Sequence, residues 1–158
     1  MAATTDDADA ALQALRARID GVDRELLALL NRRAGLALEV GELKKKTGGV
    51  VFRPEREAQV IDGLKAANPG PLQPDGVAPI WREIMSACRA LERRMRVAFL
   101  GPAGTFSEEA ALGYFGSSID RVPCTSIDEV FHSTSGGAAD FGVVPVENST
   151  EGVVTRSL

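Results

Sequence analysis

The sequence predicts two units of different class. Residues 7–95 read as an all-α unit of three helices that pairs with a second copy of itself, and residues 96–158 as the beginning of an α/β unit. Three observations carry this. Apolar residues recur at alternating spacings of three and four through the first helical stretch. The Gly and Pro clusters in "KTGGVVFRP" and "NPGPLQPDG" cut the helix-forming region into three pieces. From Arg96 onward the pattern changes to strand, glycine-containing turn and helix.

The first helix is expected from about Asp7 to about Lys46, because no proline interrupts it and Gly21, Gly35 and Gly41 cost only about 1 kcal/mol each. Its seam positions are Leu12, Leu15, Ile19, Val22, Leu26, Leu29, Arg33, Leu36, Val40 and Leu43, nine apolar residues and one arginine. Such spacing describes a coiled-coil face. At about 1.5 Å per residue the helix is about 60 Å long, more than two shorter helices can cover, so a second chain is the natural partner. The second helix opens at Pro54 and carries Val60, Ile61 and Leu64 on one face. The third follows Asp75 as N-cap, with Ile80, Trp81, Ile84, Met85, Cys88 and Leu91 at helical spacing. Beyond it, "VAFL" reads as a strand, "GPAGTFS" as a turn, "EEAALGYFG" as a helix and "FGVVPVE" as a second strand. Few strands and two helices do not close a two-faced sheet, so this unit is expected to be incomplete.

Composition narrows the function classes. A net charge of −4 offers no general attraction to nucleic acid or anionic membranes, so any anion site must be built locally. No apolar run approaches the roughly 20 residues that span a bilayer, and the acidic start "MAATTDDADA" lacks the features of a signal peptide, which makes the cytoplasm the expected location. Cys88 and Cys124 show no disulfide or zinc spacing. His132 is the single histidine, so a Ser/His/Asp or Cys/His mechanism would rest on it, and it reads as an ordinary surface or loop residue. No metal or cofactor is expected.

Arg33 interrupts the apolar seam. An unpaired buried guanidinium costs several kcal/mol, on the order of other buried charges, so something anionic must meet it. A structural ion pair or a register-setting polar residue is one reading. Further cations favour another. Lys44 lies eleven residues on, close to three turns and about 16 Å along the same face. Arg16 lies 17 residues before Arg33, about 25 Å away and rotated, so it reaches the same ligand only from an antiparallel partner chain. Arg56 and Glu57 open the second helix, and Cys88 and Glu92 share a face of the third. Such a pocket suits a small dianion. With no nucleophile beside a base, the economical chemistry is a rearrangement, accelerated by holding one conformer and stabilising developing charge.

"LRARIDGVDRELLALLNRRAGLALEVGELK", "RPERE" and "IWREIMSACRALE" closely resemble the all-helical chorismate mutases, over about residues 10–95. The resemblance implies an intertwined homodimer of three-helix chains that converts chorismate to prephenate by a Claisen rearrangement without cofactor. It implies that Arg33, and Arg16 from the other chain, hold the substrate carboxylates. Lys44 would donate to the ether oxygen and a carboxylate, Glu57 would accept from the ring hydroxyl, and Arg56 would complete the cationic wall. Arg53 stands where some members have aspartate and is given no substrate role. Cys88 stands where some have serine, as a candidate substrate contact. Glu92 stands where others have glutamine as second donor to the ether oxygen, and a carboxyl group donates only when protonated. Activity is therefore expected to fall toward alkaline pH.

"VAFLGPAGTFSEEAALGYFG" and "CTSIDEVFHSTSGGAADFGVVPVENSTEG" resemble the N-terminal part of prephenate dehydratase. Together the two resemblances imply a bifunctional enzyme of phenylalanine synthesis, with an incomplete α/β lobe of the periplasmic-binding-protein type after the mutase unit. Thr105, Phe106 and Ser107 sit at a helix N-terminus, where free N–H groups favour an anion. Asn148, Ser149 and Thr150 follow a strand end, where ligands bind in open α/β sheets. No P-loop lysine or dinucleotide fingerprint accompanies them. The second lobe and its catalytic motif are absent, so no dehydratase turnover is expected from these residues alone. A competing function is a catalytically idle dimerisation module fused to a ligand-binding half domain.

Overall fold

The computed structural model describes residues 5–148 together with 152, 153 and 157. The chain opens with α1, Thr5–Thr47, one uninterrupted helix of 43 residues. Asp6 and Asp7 in its first turn and Lys44, Lys45 and Lys46 in its last complement the helix dipole. The helices α2, Pro54–Ala67, and α3, Pro74–Glu92, follow. Each begins with proline at its first position, where the missing N–H is not needed. The N-cap of α3 is Gln73 rather than Asp75. Pro74, with its fixed φ, starts the helix two residues earlier and moves Asp75 into the first turn, where its charge favours the dipole.

α3 is the hub of the helical unit, for both α1 and α2 pack against it. Val77, Met85 and Cys88 are its buried apolar residues, and Ile61 is that of α2. The predicted α3 face is only partly covered, since Ile80 and Leu91 stay exposed. On α1 the nine apolar seam residues, Leu12 through Leu43, all remain between 44 and 63 % exposed. Fully burying one such side chain contributes about 1.5–3 kcal/mol, so a helix about 65 Å long with this face bare is a strong invitation to a partner.

The second unit is a small three-stranded parallel sheet in the order β2-β1-β3, built from β1, Arg96–Leu100, β2, Asp120–Cys124, and β3, Phe141–Val143. β1 is central, with Arg96 to Leu100 paired against Asp120 to Cys124 on one side and Val97 to Phe99 against Phe141 to Val143 on the other. Its alternation feeds two cores. Val97 joins Ala111 and Phe115 of α4, Phe106–Phe115, whereas Ala98 joins Val130 of α5, Ile127–Ser135, and Cys124 of β2. β2 adds to the two strands expected from the sequence. Pro123 within it is tolerated because β2 is an edge strand. α5 starts at Ser126, whose hydroxyl accepts from the Glu129 amide at 3.2 Å, while Glu129 reaches back to the Thr125 amide at 2.6 Å. The predicted strand at "FGVVPVE" is shorter than expected. It ends at Val143, and Glu147–Asn148 instead forms β4, paired antiparallel with β5, Gly152–Val153.

The two units share packing. Phe52, in the link between α1 and α2, is buried in a cluster with Met95 and with Val97, Ala111, Phe115 and Ile119 of the α/β unit. One face of α3 meets that unit through polar groups at helical spacing. Glu83 accepts from the Ser117 amide at 3.0 Å, and Ser86 Oγ accepts from the Ser118 amide at 3.2 Å. Gly116, at φ 80°, sits so close that a Cβ there would collide with the Ser86 side chain.

Asp140 closes the joint. Its carboxylate accepts from the Arg96 amide at 2.8 Å, from Arg93 Nη1 at 3.0 Å and from Arg96 Nη2 at 3.3 Å. Partial burial disfavours its charge, but the Arg96 amide and the Arg93 and Arg96 guanidinium groups outweigh that and hold the carboxyl below the usual range. A lowered folded value makes the stabilisation complete above the unfolded value of about 4 and lost as pH falls through the folded one. Asp140→Asn is expected to destabilise the chain by about 1–2 kcal/mol at pH 7. Urea unfolding of both proteins should show this difference shrinking toward about pH 3.

Candidate functional site

Between α1, α2 and α3 lies a cavity of about 500 Å3. Arg33 and Lys44 line it from α1, Arg53 and Arg56 from the start of α2, and Arg89 from α3. Two carboxylates, Glu57 and Glu92, line it as well, and Val40, Val60 and Met85 form apolar parts of its wall. The fold thus gathers Arg33, Lys44, Arg56, Glu57, Cys88 and Glu92 around one space. Arg16 is not among the lining residues. Since α1 is continuous, Arg16 stands about 25 Å along its axis from Arg33.

Each side chain is held by its own element. Arg33 Nη1 donates to Cys88 Sγ at 3.0 Å, and Cys88 is buried. Sulfur is a weak acceptor, so most of the guanidinium's donors stay uncommitted. Lys44 Nζ lies 3.4 Å from the Val51 carbonyl, and its stem packs along Gly49. The first turn of α2 is closed onto the Arg53 carbonyl, which accepts from the Arg56 amide at 3.1 Å and the Glu57 amide at 3.2 Å. That turn carries both Arg56 and Glu57 to the cavity wall. Glu57 Oε1 accepts from Arg89 Nη1. Glu92 lies directly over α1, where a Cβ on Gly41 would stand 2.5 Å from Glu92 Oε2. Glycine at 41 therefore makes room for the carboxyl group.

Arg89 is a charged lining residue that the sequence reading missed. It follows Met85 by four residues, on the inward side of α3, and an arginine at that spacing from a core methionine requires a partner. Arg53, given no role from the sequence, also lines the cavity.

The α/β unit places its predicted anion-binding residues differently from a free helix N-terminus. Thr105 is the N-cap of α4, but its hydroxyl donates to the Leu100 carbonyl at 3.0 Å and makes no cap bond. The Gly104 amide already donates to Glu108 Oε2 at 2.5 Å, and Glu108 is buried and paired with Arg121 at 3.0 Å. Phe106 is 89 % exposed, and Ser107 follows it in the first turn. Asn148 falls in β4, within a hairpin and not after a parallel strand. Ser149 and Thr150 lie outside the described residues.

The cavity can bind a compact anion with two acidic groups, hold it from several directions and donate hydrogen bonds as charge develops. His132 lies on α5 and is not among its lining residues. Among the described residues, no His, Cys, Asp and Glu groups are clustered to hold a metal ion, and no helix is long and apolar enough to cross a membrane.

Residues 15–93 match the family model for chorismate mutase type II, and residues 97–158 match that for prephenate dehydratase. The chain is 50 % identical over 152 residues to the bifunctional chorismate mutase/prephenate dehydratase of Pseudomonas aeruginosa, covering 93 % of this chain and 42 % of that protein. The protein of the same description from Neisseria gonorrhoeae is 47 % identical over 143 residues, covering 90 % and 39 %. The chain therefore spans about two fifths of the length of these curated relatives. Among solved structures, form II of chorismate mutase from Thermus thermophilus aligns with a TM-score of 0.51 at 38 % identity, covering 52 % of this chain and 94 % of that one.

Proposed function

The chain belongs to the chorismate mutase type II family, and from that premise we propose that residues 7–95 convert chorismate to prephenate by an electrostatically assisted Claisen rearrangement. The observation that carries this is the cavity itself, with five cationic side chains and two carboxylates on its wall. A rearranging substrate needs no covalent partner. Its ether bond breaks while a carbon–carbon bond forms, and the enzyme contributes by fixing the compact conformer and meeting charge on the ether oxygen.

In this reading Arg33 holds one substrate carboxylate, steadied by Cys88. Lys44 donates to the ether oxygen and a carboxylate, Glu57 accepts from the ring hydroxyl, and Arg56 closes the rim. Arg16 enters from a second copy. The exposed apolar seam of α1 supports that pairing, since a homodimer buries it and brings another Arg16 toward the open side of the cavity. Residues 96–158 form part of a dehydratase domain in this proposal, and these residues alone are expected to release no phenylpyruvate from prephenate.

Adding chorismate to the protein should give prephenate one for one, without added metal or cofactor, followed as loss of chorismate absorbance. Unchanged chorismate would overturn the assignment. Glu92 lines the cavity, and Glu92→Gln, whose amide always offers a donor, is expected to keep or raise kcat/KM for chorismate at pH 7. A large loss of activity in Glu92→Gln removes the donor role from Glu92.

A further inference from the structure

We infer that Arg89 is a positioning residue through which the α/β unit sets the mutase acceptor Glu57. The inference rests on the mutase reading above and deepens it. Arg89 Nη1 donates to Glu57 Oε1, and Arg89 Nη2 donates to the Phe115 carbonyl at 2.5 Å. Its guanidinium carbon also stands 4.9 Å from the centroid of the Phe52 ring. The side chains of Arg89 and Glu57 are only 10 % and 17 % exposed. One planar cation thus bridges a carboxylate lining the cavity and a backbone oxygen of the neighbouring unit.

Each contact has a physical reason. Phe115 is the last residue of α4, where carbonyls lack helical partners and the dipole is negative, a favourable place for a cation. Phe52 offers a ring face to the guanidinium, and that ring is itself fixed in the α/β core by Phe115 and Phe141. Two of the three groups that orient Arg89 are therefore fixed by the second unit. Arg89 in turn engages one oxygen of Glu57 and leaves Oε2 without a protein hydrogen bond among the described residues. That oxygen is free to accept from a substrate hydroxyl. A movement of the C-terminal end of α4 reaches the mutase cavity by this route, through direct contact and without a change in the helical bundle.

The test uses the full chain and a double-mutant cycle. Native protein that fails to consume chorismate refutes the mutase assignment and, with it, the inference. With native activity in hand, Arg89→Met should lower kcat/KM by about 10- to 100-fold, the scale of a small misplacement of a reacting group. In a Glu57→Gln background the same replacement should change kcat/KM less than about twofold, because its route is already cut. Additive losses, or an Arg89→Met protein with native kinetics, overturn the inference while leaving the mutase assignment standing. Arg89→Lys keeps the charge but not the two-pronged geometry, and serves if the methionine variant does not fold. Its expected loss is about tenfold with an unchanged melting profile. Full activity in that variant also overturns the inference. Phe52→Leu, which removes the ring from the guanidinium without touching the cavity carboxylates, should reduce kcat/KM in the native background and not in Glu57→Gln.

Discussion

Arg33→Ala is expected to lower kcat/KM for chorismate by about a thousandfold, or about 4 kcal/mol of transition-state stabilisation, while the oligomer persists. The size follows from where Arg33 sits. It is half-buried on the α1 seam, and its hydrogen-bond partner is the sulfur of Cys88. Removing it leaves that weak acceptor unpaired at little cost, so folding should be nearly unaffected. A bound dianion, by contrast, loses a charged donor inside a cavity where water replaces it poorly. Lysine at 33 should recover little, because a point charge on a flexible stem does not reproduce the planar fork that meets a carboxylate. Chorismate disappearance, measured beside sedimentation or light scattering, separates the outcomes. An Arg33→Ala protein with native kinetics would reject the proposed site.

Mixing two inactive proteins should restore activity. Arg16→Ala and Arg33→Ala are each expected to be disabled as homodimers, since every site lacks one of the two arginines. After the subunits exchange, about half the dimers are mixed. In each of these, one site contains Arg33 of one chain and Arg16 of the other, and the second site contains neither. About a quarter of all sites, and so about a quarter of native activity, is expected from an equal random mixture. The prediction depends on α1 running unbroken. A reversal that carried Arg16 back to its own Arg33 would give no recovery, and α1 is a single helix across Thr5–Thr47. Recovery absent after verified subunit exchange would place both arginines in one chain's site.

Much of this arrangement was legible because it rests on periodic, local signals. The spacing of Leu12 to Leu43 announced α1 and its seam, and proline at 54 marked the start of α2. Lys44 and Arg33 could be assigned to one face from helix geometry alone. The losses have equally definite causes. Asp75 is a good capping residue by type, but Pro74 before it fixes the backbone first. β2 was hidden because "DRVPC" alternates only weakly and contains a proline, which an edge position forgives. Arg89 was hidden because its partners Glu57 and Phe115 are 32 and 26 residues away in sequence. A charged residue on a helix looks solvated until the elements that surround it are in place. Glu57 illustrates both sides, since its position at the start of α2 was readable and its ion pair was not.

Phe52 has a consequence for how the chain comes off the ribosome. Its ring meets Tyr114, Phe115 and Phe141, all made long after the link that carries it. Domains commonly fold one after another as they emerge, N-terminal first. Here the three helices can be fully synthesised while the segment joining the first two still lacks its anchor, and an aromatic side chain waits in water until β3 is made. Co-translational probes should find the helical unit compact early and its α1–α2 link protected late. Maturation of the mutase cavity would then be timed by the synthesis of the unit that follows it.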